Sequence, residues 1–367
     1  MKFIVQKNQL QEAISNVQKA VTGKSTMPIL QGILLNVNKN SITLVGSDKD
    51  LTIETKIEAL VEKTGKIVVD SRLFGEIIRK LPNADIEIFS NDNNTISIKC
   101  LKSNATLVHM NADDYPTLPV ILEETSFEIQ QKIIKNMIKG TIFATAQDEV
   151  RPIFTGVLFE IQNKKLNLVA LDGYRVAIKS EYIDSDININ YVVPGKTLNE
   201  VSKILEESEE DVHISFTSNH ILFNMGKTKV ISRLLEGEFI QYKSFIPKEN
   251  NLKLIANRDE ILHSIERASL MGKDGNTSHV NLDIQEEAMI ITSNSQLGMA
   301  KEEVSIILQG TELKIAFNPK YLIDVFKIID SEEITMEFYS EINPCTIKGK
   351  ERENSTYLLL PVRVLQQ

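Results

Sequence analysis

Cysteine is almost absent: Cys100 and Cys345 are the only two in 367 residues, and neither has a Cys-x-x-Cys or Cys/His cluster around it. A structural metal site therefore has little support, and two buried thiols in a reducing compartment are expected. No run of eighteen apolar residues occurs, and the opening MKFIVQKNQL has no signal-peptide core. This excludes a spanning helix and points to a cytoplasmic location, where the sequons Asn93-Asn94-Thr95 and Asn354-Ser355-Thr356 have no use. Positive charge is scarce too: 41 Lys and Arg against 50 Asp and Glu leave a net charge of −9. A surface that grips nucleic acid everywhere is disfavoured, while a local basic patch is not. Catalytic patterns are missing as well. There is no Ser/His/Asp, Cys/His or HExxH arrangement, and His109, His213, His220, His263 and His279 show no ligand spacing. Asp48/Asp50 and Asp113/Asp114 read as turn and cap residues. No catalytic residue, metal or cofactor is expected.

With 42% hydrophobic and 25% charged residues, the chain has an ordinary globular composition and a length that suggests two or three domains. GKST at 23–26 resembles the end of a phosphate-binding loop, but Gln18 stands where the outer glycine belongs. Leu10, Ile14, Val17 and Val21 place a helix before it, and Ile29 to Val37 read as a strand after it. That is the reverse of the order a phosphate loop needs.

Self-similarity explains the segment better. MPILQGILL (27–35) recurs as RPIFTGVLF (151–159), 124 residues on, and Ile14, Val17 and Ala20 recur as Ile138, Thr141 and Ala144, then as Leu262, Ile265 and Ala268. LVGSD (44–48), LVALD (168–172) and, slightly out of step, IITSN (290–294) mark a strand in each of three copies. A second helix repeats at the same offset as DSRLFGEIIRKL (70–81), PGKTLNEVSKIL (194–205) and NPKYLIDVFKII (318–329). Its apolar columns are Phe74, Ile77 and Leu81; Leu198, Val201 and Leu205; and Leu322, Val325 and Ile329. Basic residues occupy two more columns, Arg72/Lys196/Lys320 and Arg79/Lys203/Lys327. At roughly 100° per residue the basic columns lie within about 20° of each other and nearly opposite the apolar ones. Each helix thus packs by one face and presents cations by the other.

Alternating segments such as Leu51/Ile53/Ile57, Ile86/Ile88, Val212/Ile214/Phe216 and Ile334/Met336/Phe338 supply strands. The fold class is α+β, in three tandem copies of two helices on antiparallel sheet. Boundaries are expected near Tyr115-Pro116-Thr117-Leu118-Pro119 and Phe245-Ile246-Pro247-Lys248, giving domains 1–121, 122–247 and 248–367. Head-to-tail contacts between such units close into a ring when the rotation permits, and basic faces lining its hole suit a polyanion held by topology rather than by sequence readout.

The threefold repeat, PILQG at 28–32, LDGYR at 171–175 and LLLPVR at 358–363 together resemble the bacterial sliding-clamp family, the beta subunits of DNA polymerase III. The resemblance covers the whole chain. It implies a head-to-tail homodimer, a six-domain ring with helices inside and sheets outside, which encircles double-stranded DNA without sequence specificity. It also implies partners, namely the polymerase III alpha subunit, the clamp loader and other proteins with a clamp-binding motif, and no membrane contact. The peptide pocket of the family maps here to Phe154, Leu171, Gly173, Tyr174, Arg175, Val176, Ile240, Ser244, Phe245, Pro344, Leu360, Pro361, Val362 and Arg363. DNA-facing positions are Lys24 together with the six basic-column residues, and protomer contacts are Leu107, Leu270 and Met271. The three contact positions have a core reading too. LLLPVR also reads as a final edge strand burying alternate residues, with Leu360 and Val362 toward the groove. Arg175 is either a groove residue or a structural ion-pair partner. Leu171, Ile240, Ser244 and the tail Leu365-Gln366-Gln367 depart from the commoner family pattern. A three-domain peptide adaptor that binds no DNA, and a phosphate-loop NTPase, are the competing readings.

Overall fold

The computed structural model describes residues 1–23, 26–91, 93–117, 119, 121, 125–148, 150–272, 279–296, 298–350 and 352–363. These residues contain six α-helices: α1 (Lys7–Gln18), α2 (Ser71–Lys80), α3 (Gln131–Ile142), α4 (Gly195–Ile204), α5 (Arg258–Ser269) and α6 (Pro319–Ile328). They form two compact units, one of residues 1–133 with 200–234 and the other of 134–199 with 235–367. Each holds one large antiparallel sheet, of 13 strands in the first and 12 in the second.

Local chemistry sets the helix limits. Asp70 ends the preceding strand and accepts a 2.7 Å bond from the Leu73 amide, which starts α2 one residue inside the repeated segment. Asn318 accepts from the Lys320 amide at 3.0 Å, and Pro319 follows at the first helical position, where its missing N–H costs nothing. The columns of the first helices are buried in all three copies, including the polar member Thr141, whose hydroxyl donates to the Met137 carbonyl at 2.9 Å. The second helices bury their apolar columns fully in α4 and α6. In α2 the deep positions are Phe74 and Ile78, with Ile77 and Leu81 half-buried, which corrects the expected triplet. Gly75 lets α1 close in there: Gln18 donates to the Ser71 carbonyl at 2.7 Å, and a Cβ on Gly75 would lie 2.5 Å from its Nε2.

The apolar run after Pro28 is a strand only from Gly32. Pro28–Gln31 forms a 3-10 turn, and Pro152–Thr155 repeats it before Gly156. Both glycines lie where neighbouring chain leaves no room. A Cβ on Gly156 would sit 2.7 Å from the Val193 carbonyl, from Val192 and from Leu235, and one on Gly32 would sit 2.4 Å from Val68.

Strand pairing crosses the copies. Thr228–Arg233 of the second copy pairs antiparallel with Leu51–Glu58 of the first, from Thr228↔Thr55 to Ser232↔Leu51. Arg352–Leu359 of the third copy pairs with Arg175–Tyr182 of the second, from Arg175↔Leu359 to Lys179↔Ser355. The segment LLLPVR is therefore not an edge. Cys345–Gly349 flanks its strand on the other side, and Tyr357, Leu358 and Leu359 are buried in succession rather than alternately, because both sheet faces are covered. Two equivalent edges have no such partner among the described residues. In Ser103–Asn111, residues 103–108 pair only with Thr95–Cys100. In Gly298–Gly310, residues 298–305 pair only with Ala288–Ser295.

Gly156→Ala should destabilise the chain by about 1–3 kcal/mol, since the neighbours of the new methyl include backbone that must shift. Urea unfolding that gives the variant the native midpoint would refute this account of the repeated glycine.

Candidate functional site

An apolar cleft of about 790 Å³ lies within the second unit. The turn Pro152–Thr155 supplies Phe154, whose ring is covered by the Arg151 guanidinium at 5.7 Å. The Leu171-to-Val176 segment reverses direction because the Asp172 carboxylate accepts from the Tyr174 and Arg175 amides at 2.9 and 3.1 Å, and because Gly173 adopts φ +94°, a conformation a side chain would strain. This turn throws Tyr174 outward, 61% exposed. Ile240, Ser244 and Phe245 line the cleft from the linker, Pro344 from the loop before Cys345–Gly349, and Leu360 from the tail. Four apolar side chains, Tyr174, Ile240, Phe245 and Leu360, remain in contact with water here, which a groove awaiting an apolar ligand explains.

Eleven of the fourteen pocket positions proposed from the sequence line this cleft, and Pro361, Val362 and Arg363 do not. The tail leaves the sheet at Leu359, its Leu360 amide donating to the Tyr174 carbonyl and its Val362 amide to the Ala316 carbonyl, each at 2.8 Å. Only Leu360 is thereby turned into the groove. Arg175 is 7% exposed and committed to structure. It donates to Asp172 at 3.0 Å, to Asp324 of α6 at 2.7 Å and to the Phe143 carbonyl at 2.6 Å, and its guanidinium lies 4.5 Å from the Tyr321 ring centre. It stiffens the wall under Tyr174, which stacks on Tyr321 at 6.1 Å. Sequence reasoning missed Arg151, Lys248, Tyr339 and Asn343 as lining residues. They stand in loops without periodicity, where only the Pro247-Lys248 boundary signal was available.

The linker turn Tyr242–Phe245 is pinned from beneath by Glu160, which accepts from the Tyr242 hydroxyl at 2.7 Å, the Lys243 ammonium at 2.9 Å and the Asn167 amide at 3.0 Å. Burial alone would raise the Glu160 pKa, but these donors hold it below the usual carboxylate value of 4.5. Burial, and then the Glu160 carboxylate, push the Tyr242 phenol up.

The junction of the first and second copies is the polar counterpart. There the Arg233 amide of the second copy donates to the Asp50 carbonyl of the first at 2.9 Å, just as the Leu360 amide bonds Tyr174, yet the side chains are an ion pair 3.9 Å apart. Identical backbone chemistry thus yields an apolar groove in one place and a charged surface in the other.

On the helices, Arg72, Arg79, Lys196, Lys203, Lys320 and Lys327 are all exposed. Arg72 pairs with Glu76 at 3.3 Å, Lys203 with Glu200 at 2.7 Å and Lys327 with Glu266 at 2.8 Å. Such exposed pairs are weak and exchange readily for another anion. Lys24 lies outside the described residues. Of the proposed protomer contacts, Leu270 is 56% exposed and Met271, half-buried, sits against Gly298. Leu107 is buried, because strand alternation turns it inward and leaves Val108, 73% exposed, facing out. Both cysteines are buried, and burial raises the Cys345 thiol pKa. Among the described residues, no His/Cys/Asp/Glu group could hold a metal ion, and no helix is long and apolar enough to cross a membrane.

Because the folded Glu160 pKa is depressed, its stabilisation of the linker turn is complete above about pH 4.5 and is lost as pH falls through the lower folded value. The protection factors of the amides of residues 242–245, with the intrinsic pH dependence of exchange removed, should therefore fall on acidification in the native chain and stay constant over that range in Glu160→Gln. Parallel profiles for the two would exclude Glu160 as the anchor.

Comparison with known proteins places this geometry. Residues 1–119, 128–241 and 243–363 match the N-terminal, central and C-terminal domains of the DNA polymerase III beta subunit. The chain is 36% identical to the beta sliding clamp of Bacillus subtilis (strain 168) over 376 residues, covering 99% of this chain and 100% of that protein. It is 35% identical to a beta sliding clamp of Staphylococcus epidermidis over 374 residues, covering 99% of each. Its fold matches the crystal structure of the DNA polymerase sliding clamp from Bacillus subtilis with a TM-score of 0.96, at 35% identity and 100% coverage of both chains. The beta subunit from DNA polymerase of Streptococcus pyogenes gives 0.95 at 29% identity, over 99% of this chain and 100% of that one. The chain belongs to the DNA polymerase III beta subunit family, the beta sliding clamps.

Proposed function

We infer that this chain is a DNA sliding clamp, a non-catalytic processivity factor for DNA polymerase III. Two copies close head to tail into a ring of six repeats that encircles duplex DNA without reading its sequence. The observation that carries this reading is the unfinished junction. Copy one pairs with copy two through Leu51–Glu58 and Thr228–Arg233, and copy two with copy three through Arg175–Tyr182 and Arg352–Leu359. The next member of the series, residues 298–305, and the first, residues 103–108, lack that partner among the described residues. A second chain satisfies both at once, and the contact is heterologous and closes on itself. Leu270, Met271 and Leu107 belong to this proposed contact, with Met299 and Val108 as its exposed apolar members.

The basic columns on α2, α4 and α6, with Lys24, form the proposed DNA-facing surface. Their contacts are screened and non-directional, so the ring slides. We assign the apolar cleft to an extended peptide with hydrophobic anchors, borne by the polymerase alpha subunit, the clamp loader and other partners. Domain limits of 1–121, 122–247 and 248–367 and a cytoplasmic location complete the proposal. A peptide adaptor would have no use for six exposed cations in matched columns, and α1 ending at Gln18 before Gly23 is the wrong order for a phosphate loop.

Leu270→Asp with Met299→Asp should turn a dimer into a 41.4 kDa monomer by light scattering. A dimer that survives both charges would rule out this edge as the closure. Reversing the six column residues to glutamate should shorten residence on closed circular duplex by about tenfold or more, with peptide affinity unchanged. Linearising the DNA should release native protein. Unaltered residence after reversal would mean that the columns do not face DNA.

A further inference from the structure

The Tyr242–Phe245 turn borders two clefts. Ser244 and Phe245 line the apolar one, Tyr242 and Lys243 line a second of about 430 Å³, and Ile246 lines both. The walls of the second cleft are strands Gly156–Gln162, Lys165–Leu171, Arg175–Tyr182 and Arg352–Leu359, with the hairpin at Asn163 and Lys164 held in left-handed backbone. Its lining is of another kind. Gln162 and Asn163 offer amides, Lys165 and Lys243 ammonium groups, and Tyr182 a ring that is 80% exposed, while the Asn167 amide is held by Glu160 and Ser180. Among the described residues, no aspartate or glutamate lines it. Carboxylates do contact lining residues: Glu160 accepts from Tyr242, Lys243 and Asn167, and Glu181 accepts from the Asn354 amide. Lys165 makes no ion pair among the described residues.

We propose that this polar cleft is a second recognition subsite, which takes an acidic, extended segment of the same partner peptide whose apolar anchors fill the first cleft. The proposal rests on the peptide-binding reading of that first cleft. Side-chain amides pair with both the N–H and C=O groups of an extended backbone, which an apolar wall cannot do. The Lys165 ammonium selects a negative side chain along that backbone, whereas Lys243 is already paired with Glu160 at 2.9 Å. The two clefts share Ile246 and are separated by the single turn Tyr242–Phe245, so a chain leaving the apolar groove has one turn to cross to reach the polar one. Glu160 gains a second role, since the residue that pins the turn also sets the spacing between the subsites.

The test uses full-length dimer and three fluorescein-labelled synthetic peptides, read by anisotropy at low and high salt. One peptide carries only two large apolar anchor residues, one adds a Glu-rich extension at either end, and one adds a Gln-rich extension of equal length. The Glu-rich peptide is expected to bind about three- to fivefold tighter than the anchors alone, with the advantage shrinking as salt rises. Lys165→Glu and Tyr182→Ala should each remove the advantage while leaving the anchor-only affinity unchanged. Equal affinity of native protein for the Glu-rich and anchor-only peptides overturns the second subsite and leaves the first intact. Failure of every peptide to bind overturns the reading of the apolar cleft itself.

Discussion

Backbone hydrogen bonding at sheet edges is the constraint from which the rest of this structure follows. An exposed edge is a row of unpaired donors and acceptors, and each copy of the repeat has one at either end. Inside the chain these edges are used up by the neighbouring copy, at Leu51–Glu58 with Thr228–Arg233 and at Arg175–Tyr182 with Arg352–Leu359. The tandem repeat is therefore not three closed domains on a string. Two sheets, each built from more than one copy, carry the fold. The same arithmetic leaves one edge at each end of the series, and satisfying it with a second molecule needs no interaction that the chain does not already use internally.

Electrostatics is subordinate to that scaffold. A chain with net charge −9 can still present cations to a polyanion, because the helix columns segregate them: in α4 and α6 the apolar columns are buried while the basic ones stay exposed. Arg72, Lys203 and Lys327 pair with carboxylates on the helices. Such pairs temper attraction without abolishing it. That suits a ring whose hold on DNA comes from closure, since tight phosphate contacts would oppose sliding.

Much of this was legible in the sequence, for identifiable reasons. A strict 124-residue offset located all three second helices to within a residue at each end, because the pattern counted flanking positions such as the caps Asp70 and Asn318 as helix. Pairing across copies was not legible, because hydrogen-bond partners in a sheet leave no signature in side-chain periodicity. The final strand was consequently taken for an edge although it is enclosed on both sides. Leu107 shows the complementary limit. Its position on an edge strand was correct in kind, but the face it turns to is set by burial under its own sheet, and Val108 takes the outward place. Pocket residues contributed by loops, such as Arg151 and Tyr339, escaped because no period governs a loop.

The apolar cleft follows from the junction as well. Each junction requires a turn that brings the chain off one strand and a backbone bond that ties the incoming strand beside it. At Asp50 and Arg233 the two residues joined by that bond are oppositely charged and close on each other. At Tyr174 and Leu360 they are apolar, and Gly173 with the buried Arg175 holds the turn open, so among the described residues both stay exposed. A repeat copied three times thus acquires one adhesive site by changing side chains at a position whose backbone is already fixed. The scaffold pays no conformational cost for the difference, because the bond that positions both residues belongs to the main chain.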